Sequence, residues 1–112
     1  MTAYKRGDVV LLRYTSPDGA ENGLRPAVVV SSETYHLGRG QVVLAAATSN
    51  LRAPQPGDTA VQHWEMAGLK GPTLVTGVLL TAPAEGVAKR LGTLSPEDLR
   101  GVEASLRLSL GM

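Results

Sequence analysis

The apolar residues of this chain come in short, β-branched runs closed by glycine and proline, a pattern that admits many strands and few helices. Val9-Val10-Leu11-Leu12-Arg13-Tyr14 stops at Thr15-Ser16-Pro17-Asp18-Gly19, whose Pro-Asp-Gly is a strong turn. A polar stretch through Gly23 and then Arg25-Pro26 leads into Ala27-Val28-Val29-Val30-Ser31-Ser32, where three consecutive valines predict a strand buried on both faces. Glu33 to Gly40 reads as a connection. Gln41 to Thr48 is a third strand: its alanines favour helix, but Val42-Val43-Leu44 and a length of eight residues decide for β. Ser49 to Gly57 carries Pro54 and Pro56 and reads as a loop, followed by a short strand at Asp58 to Gln62 and a single helical turn from Trp64 to Gly68. Thr73–Val75 and Val78–Thr81 are two strand segments separated by Gly77, which marks a bulge or bend, and Lys89 to Leu94 is a pairing strand.

One helix stands apart from this pattern. Ser95 is a cap, Pro96 takes the first helical position, Asp98 sits where a capping-box acid belongs, and Leu99, Val102, Leu106 and Leu110 recur on one face before Gly111 ends the segment. Short strands followed by one packed helix predict a small SH3-like barrel, mainly β with a C-terminal α-helix. With 112 residues and no visible internal boundary, residues 1–112 read as a single domain.

Composition then removes whole classes of chemistry. The absence of cysteine excludes thiol catalysis and cysteine-ligated metal. His36 and His63 lie far apart and outside any His-x-x-x-His spacing, so neither a metal site nor a cofactor is expected. No apolar stretch approaches the roughly 20 residues of a membrane span, and the expectation is a soluble, cytoplasmic chain with no membrane partner. Net charge is +1, divided as +2 over residues 1–56 and −1 over residues 57–112. Any site for a polyanion must therefore be a local groove that focuses positive potential. Walker, dinucleotide and Gly-x-Ser-x-Gly motifs are all missing.

What remains is inconspicuous. Arg25 stands directly before the valine strand, with Pro26 restricting its backbone; the plain structural reading is a solvated or ion-paired strand end. Thr48-Ser49-Asn50 sets three small polar groups at the end of the third strand, which on their own describe a turn held by side chains.

Taken in order, Gly7-Asp8-Val9-Val10-Leu11, Gly23-Leu24-Arg25-Pro26-Ala27-Val28-Val29-Val30-Ser31, Thr48-Ser49-Asn50 and Leu91-Gly92-Thr93-Leu94-Ser95-Pro96-Glu97-Asp98-Leu99 resemble the MazF/PemK family of bacterial toxins. The resemblance runs from Gly7 to Gly111. It implies the barrel with a C-terminal helix, a homodimer, and a ribosome-independent endoribonuclease that cuts single-stranded RNA to leave 2′,3′-cyclic phosphate and 5′-hydroxyl ends. It also implies a MazE-like antitoxin whose extended acidic segment occupies the RNA groove. Carried over by position, the family's catalytic arginine falls on Arg25 and its Thr or Ser on Thr48. A guanidinium stays protonated, so the role expected of Arg25 is electrostatic, with Thr48 as a hydroxyl donor. The chain departs from the family between Thr73 and Thr81, where relatives commonly carry an Asp-Gln pair or a basic residue and this chain has Thr76-Gly77-Val78-Leu79. That departure leaves the proton-transfer partner unassigned.

Further RNA contacts are expected from Tyr14, Ser31, Ser49, Asn50, Arg52 and Lys70, against a default of ordinary surface or turn residues. Trp64 reads as core or interface filling, and His36 and His63 as structural. Leu108 falls opposite the apolar helix face, where a dimer would cover it. Two other functions fit the same fold: a gyrase-inhibiting toxin, which would need an aromatic near the C-terminus where this chain has Leu110-Gly111-Met112, and a catalytically inactive SH3-like binding module.

Overall fold

The computed structural model describes residues 4–15, 18–19 and 22–112, with backbone alone for Tyr14, Thr15 and Asn22. Strands β1 (Asp8–Thr15) and β2 (Asn22–Val29) are followed by helix α1 (Glu33–Arg39) and strand β3 (Gln41–Thr48). Strands β4 (Thr59–Ala60), β5 (Leu74–Pro83) and β6 (Val87–Thr93) precede helix α2 (Pro96–Leu110). The strands form one antiparallel sheet in the order β4-β5-β3-β2-β1-β6.

Alternation along the paired strands gives the sheet two buried faces. Val10, Leu12, Ala27, Val29, Val42 and Leu44 gather on one side, and Val9, Val28, Ala45 and Val75 on the other with Val102 of α2. The valines of β2 split between the two, as a strand covered on both faces requires. Each fully buried valine or leucine contributes about 1.5–3 kcal/mol of transfer free energy.

Closure comes from packing at two glycines. The turn that follows β4, at one edge of the sheet, lies directly on β6 at the other edge. A Cβ on Gly68 would stand 2.2 Å from the Leu91 carbonyl oxygen, and one on Gly92 would stand 2.7 Å from the Ala67 carbonyl. Gly68 also has a φ of +78°. Only a pair of glycines lets the two backbones meet and the sheet curl into a barrel.

Helix α2 is built as its sequence predicts. Ser95 Oγ accepts the Asp98 N–H, Pro96 opens the first turn, and Gly111 closes the helix in the left-handed region. Such a cap is worth about 1 kcal/mol. The Asp98 carboxylate does not complete a capping box, however. It accepts the N–H groups of Gln62 and His63, at 3.0 and 2.9 Å, and so ties the turn after β4 to the helix. That turn is a series of hydrogen-bonded turns rather than helix, with the Leu69 N–H donating to the Trp64 carbonyl.

Other boundaries differ from expectation for identifiable reasons. Strand β2 begins at Asn22 because its polar residues pair with β1, Arg25 opposite Leu12 and Pro26 opposite Leu11. The segment 33–39 is a helix rather than a plain connection, capped by Ser32 through the Tyr35 N–H and ended by Gly40 at φ +66°. The two segments expected at Thr73–Val75 and Val78–Thr81 are one strand, Leu74–Pro83, with the irregularity at Gly77 inside it and Thr73 just before it. The turn expected after β1 lies partly outside the described residues. Among the described residues no helix is long and apolar enough to cross a membrane.

Candidate active site

Strands β2 and β3 are paired at Val29/Leu44, Val28/Ala45 and Ala27/Ala46, and there the ladder stops. Continuing the same register two residues further sets Arg25 opposite Thr48, where no β2–β3 rung joins the strands. Pro26 sits just past the last rung, so its missing N–H removes no bond from this pairing. The strands part and leave a cleft of about 610 Å³ lined by Arg25, Pro26, Ala47, Thr48 and Ser49.

The far wall comes from the connection between β4 and β5. Leu69, Lys70 and Gly71 line it, together with Thr73, whose hydroxyl donates to the Gly71 carbonyl at 3.0 Å and fixes that corner. Leu11 of β1 and Leu91 of β6 supply an apolar floor. The cleft therefore joins two cationic side chains, Arg25 and Lys70, to the hydroxyls of Thr48, Ser49 and Thr73 over a floor that lacks charge. Its depth depends on the Gly68–Gly92 contact, which brings residues 68–71 against β6.

The Thr48 hydroxyl accepts the Asn50 N–H at 3.1 Å. This bond orients the oxygen and leaves the hydroxyl proton available for donation. Asn50 thus acts through its backbone in the turn, with its side chain exposed.

The structure gathers four of the eight expected site residues, Arg25, Thr48, Ser49 and Lys70, around one cleft. Asn50 borders it through the Thr48 bond. Arg52 lies further along the loop, paired with Asp58 at 2.5 Å, and Asp58 also accepts the Gln55 N–H at 2.8 Å. The Arg52 side chain and that N–H hold the Asp58 carboxyl below its ordinary value of 3.8. Ser31 belongs to a different depression. Its hydroxyl accepts the Val43 N–H at 2.9 Å and lies 2.5 Å from His36 Nε2, while His36 Nδ1 lies 3.0 Å from the Tyr4 carbonyl. A carbonyl only accepts, so for a neutral ring Nδ1 carries the proton and Nε2 takes the Ser31 O–H. His36 is structural in this arrangement. The Tyr14 side chain lies outside the described residues.

Residues that sequence reasoning did not single out are the apolar floor, Thr73 and the Gly68–Gly71 corner. The close pair Gly68 and Gly71 followed by Pro72 was the available signal, but its meaning depends on β6 arriving beneath it. Among the described residues, no three His, Asp or Glu side chains come together in a way that could hold a metal ion.

The second depression, about 350 Å³, runs between α2 and the sheet, with Val30, Val43, Leu79, Val102 and Leu106 along it. Arg6 pairs with Glu103 across its rim at 3.3 Å. Beside it the end of α2 leaves Leu108, Leu110 and Met112 exposed at 77%, 55% and 85%.

Solved structures share this architecture. A mycobacterial endoribonuclease in complex with its cognate antitoxin superposes with a TM-score of 0.77 at 19% identity, covering 98% of this chain and 97% of that one. MazF in a MazE–MazF complex from Deinococcus radiodurans gives 0.78 at 24% identity, with 99% of each chain covered. The Mycobacterium tuberculosis toxin MazF-mt6 gives 0.75 at 16% identity, over 94% of this chain and 97% of that one. At these identities the likeness establishes the fold. Residues 5–110, which include β1 through the last turn of α2 and every residue lining the cleft, match the family model of the PemK-like, MazF-like toxins. The chain belongs to that family, the toxins of type II toxin–antitoxin systems.

Proposed function

We propose that this toxin is a metal-independent, ribosome-independent endoribonuclease that cuts single-stranded RNA in the cleft between β2 and β3. The observation that carries the proposal is the meeting of Arg25 and Thr48, distant in sequence, at the point where those strands separate over an apolar floor. The endoribonuclease and antitoxin complexes among its structural relatives support it.

The reaction needs no nucleophile from the protein. The 2′-oxygen of the RNA attacks the adjacent phosphorus, the P–O5′ bond breaks, and the products are a 2′,3′-cyclic phosphate and a 5′-hydroxyl. The 2′-hydroxyl gives up a proton and the departing 5′-oxygen gains one. Negative charge accumulates on the phosphoryl oxygens in the transition state, where the Arg25 fork offers bidentate donors and full charge. Thr48, its oxygen oriented by the Asn50 N–H, donates to the same group. Lys70 attracts the backbone from the opposite wall, Ser49 offers a further donor, and Arg52 and Tyr14 are assigned contacts with flanking nucleotides; Ser31, expected among these contacts, is instead buried beside His36 in the other depression and takes no part.

Residues 1–112 form one toxin domain in this reading, working in the cytoplasm as a homodimer. Leu108, Leu110 and Met112 are the surface that a second copy covers, and a MazE-like antitoxin with an extended acidic segment is the partner that blocks the groove. Incubation of the purified protein with a mixed-sequence RNA tests the proposal. Discrete fragments with cyclic-phosphate and 5′-hydroxyl ends are expected, and intact RNA at micromolar protein would contradict it.

A further inference from the structure

Strand β5 contains an irregularity directly behind the cleft. Ala45 pairs with Leu79 and Ala47 with Val75, so a single residue of β3, Ala46, faces Thr76, Gly77 and Val78 on β5. Such a bulge interrupts the ladder and leaves backbone groups without their regular partners. Thr76 repairs the break with its side chain. Its Oγ1 donates to the Ala46 carbonyl at 2.8 Å and accepts the Val78 N–H at 3.2 Å. Thr76 is 6% exposed, so this hydroxyl is not a surface decoration.

Ala46 matters because of its other neighbour. On its opposite side it forms, with Ala27, the last β2–β3 rung before the cleft opens. The positions of Arg25 and Thr48 are each set two residues beyond that rung. The bulge also abuts the far end of the loop that leaves the cleft at Ser49: a Cβ on Gly57 would stand 3.0 Å from the Gly77 Cα. One hydroxyl thus anchors the backbone from which both walls of the β2–β3 opening diverge.

We infer that Thr76 is a positioning residue for the RNA-cleaving site, acting through the Ala46 carbonyl to hold Thr48 in register with Arg25. This inference rests on the endoribonuclease reading for its kinetic consequence, and on the hydrogen bonds alone for its structural one. In this role a neutral, buried hydroxyl supports the site from behind and does not itself move a proton in the reaction.

The test compares Thr76→Val, which keeps the shape and removes the hydroxyl, with Thr76→Ser, which keeps the hydroxyl. Misplacement of a reacting group by a fraction of an ångström predicts a kcat about tenfold lower for the valine variant, with KM within about twofold of wild type. The serine variant should return kcat to within about threefold of wild type. Val42→Ala, at the other end of β3, serves as the control for lost stability and should keep wild-type kcat. Should the valine variant not fold, Thr76→Ala replaces it, with the same split between kcat and KM expected. Wild-type kcat in a folded variant without the hydroxyl, or a serine variant as slow as the valine one, overturns the inference. So does a Val42→Ala control that loses as much kcat. Backbone amide spectra are read on the same proteins. Loss of the hydroxyl should shift the amides of Leu24, Arg25, Ala27 and residues 46–49 and speed their exchange, while β6 stays unchanged. If the wild-type protein cuts no RNA, the endoribonuclease reading fails, and unchanged amide spectra in these two segments would separately dismiss the positioning role.

Discussion

The two depressions of this molecule are made from the same sheet by opposite means. Between α2 and the sheet the strands remain paired, their side chains alternate, and the result is a groove floored by Val30, Val43 and Leu79 with one exposed ion pair at its rim. Between β2 and β3 the ladder ends at Ala27/Ala46, and polar side chains from the strand ends occupy the opening. A continuous ladder satisfies its backbone and can present apolar side chains; an interrupted one concentrates hydroxyls, charges and turn-forming residues. The first surface suits burial against protein, and the second suits a charged ligand.

If this division is right, substitutions in the cleft should remove chemistry without loosening the fold. Arg25→Ala is expected to lower the cleavage rate by about 10²-fold or more, the usual effect of deleting a preorganised transition-state donor. Circular dichroism and thermal melting of the variant should stay close to wild type, since Arg25 lies within β2 with its side chain exposed. Thr48→Ala should cost less, on the order of tenfold, because Ser49 or a backbone N–H can supply part of the lost donation. Single-turnover cleavage of a short RNA measures both, and wild-type rates in folded variants would remove these residues from the site.

Much of this was legible in the chain. The strand runs, the Ser95-Pro96 start of α2 and the glycine at its end follow from local rules that tertiary contacts left undisturbed. The motif order led to Arg25 and Thr48, but the register that opposes them, Ala27 on Ala46, required knowing which strands are neighbours. Helix α1 was hidden because Gly38 and Gly40 look like loop residues, although Ser32 and Gly40 are also its two caps. Asp98 shows the limit most clearly. Its position announced a capping box, whereas its carboxylate serves the backbone of Gln62 and His63, residues about one-third of the chain away that only the fold brings near. The cleft's far wall was invisible for the same reason, since it exists only where Gly68 meets Gly92.

The apolar side of the comparison can be broken separately. Leu108→Asp places a charge on the surface assigned to the second copy. Light scattering of the wild-type protein at micromolar concentration should give twice 11.7 kDa, and the variant should give 11.7 kDa. Cleavage of a short RNA should then lose affinity rather than turnover. A wild-type monomer would contradict the assignment of Leu108, Leu110 and Met112.

The smallest effect is expected in the loop that leaves the cleft. Arg52 and the Gln55 N–H hold the Asp58 carboxyl below its ordinary value of 3.8, so the stabilisation they give is fully present above that value. It disappears as the pH falls through the lower folded-state value. Arg52→Ala should therefore melt slightly below wild type at neutral pH, and the two melting curves should converge as the pH falls well below the ordinary carboxylate range. A difference that persists in strong acid would mean that Arg52 acts through packing rather than through Asp58.

The central claim is that the cleft accelerates an attack made by the RNA itself. A chimaeric oligonucleotide carrying the preferred cleavage site tests it directly, with a single 2′-deoxy nucleotide placed immediately 5′ of the cut and the reaction run in excess EDTA. The account predicts that the all-ribose strand is cut in EDTA, that the deoxy substitution at this one sugar stops cleavage, and that deoxy sugars elsewhere change binding alone. Cleavage of the strand that lacks this 2′-hydroxyl, or loss of all cleavage on chelation, would contradict it.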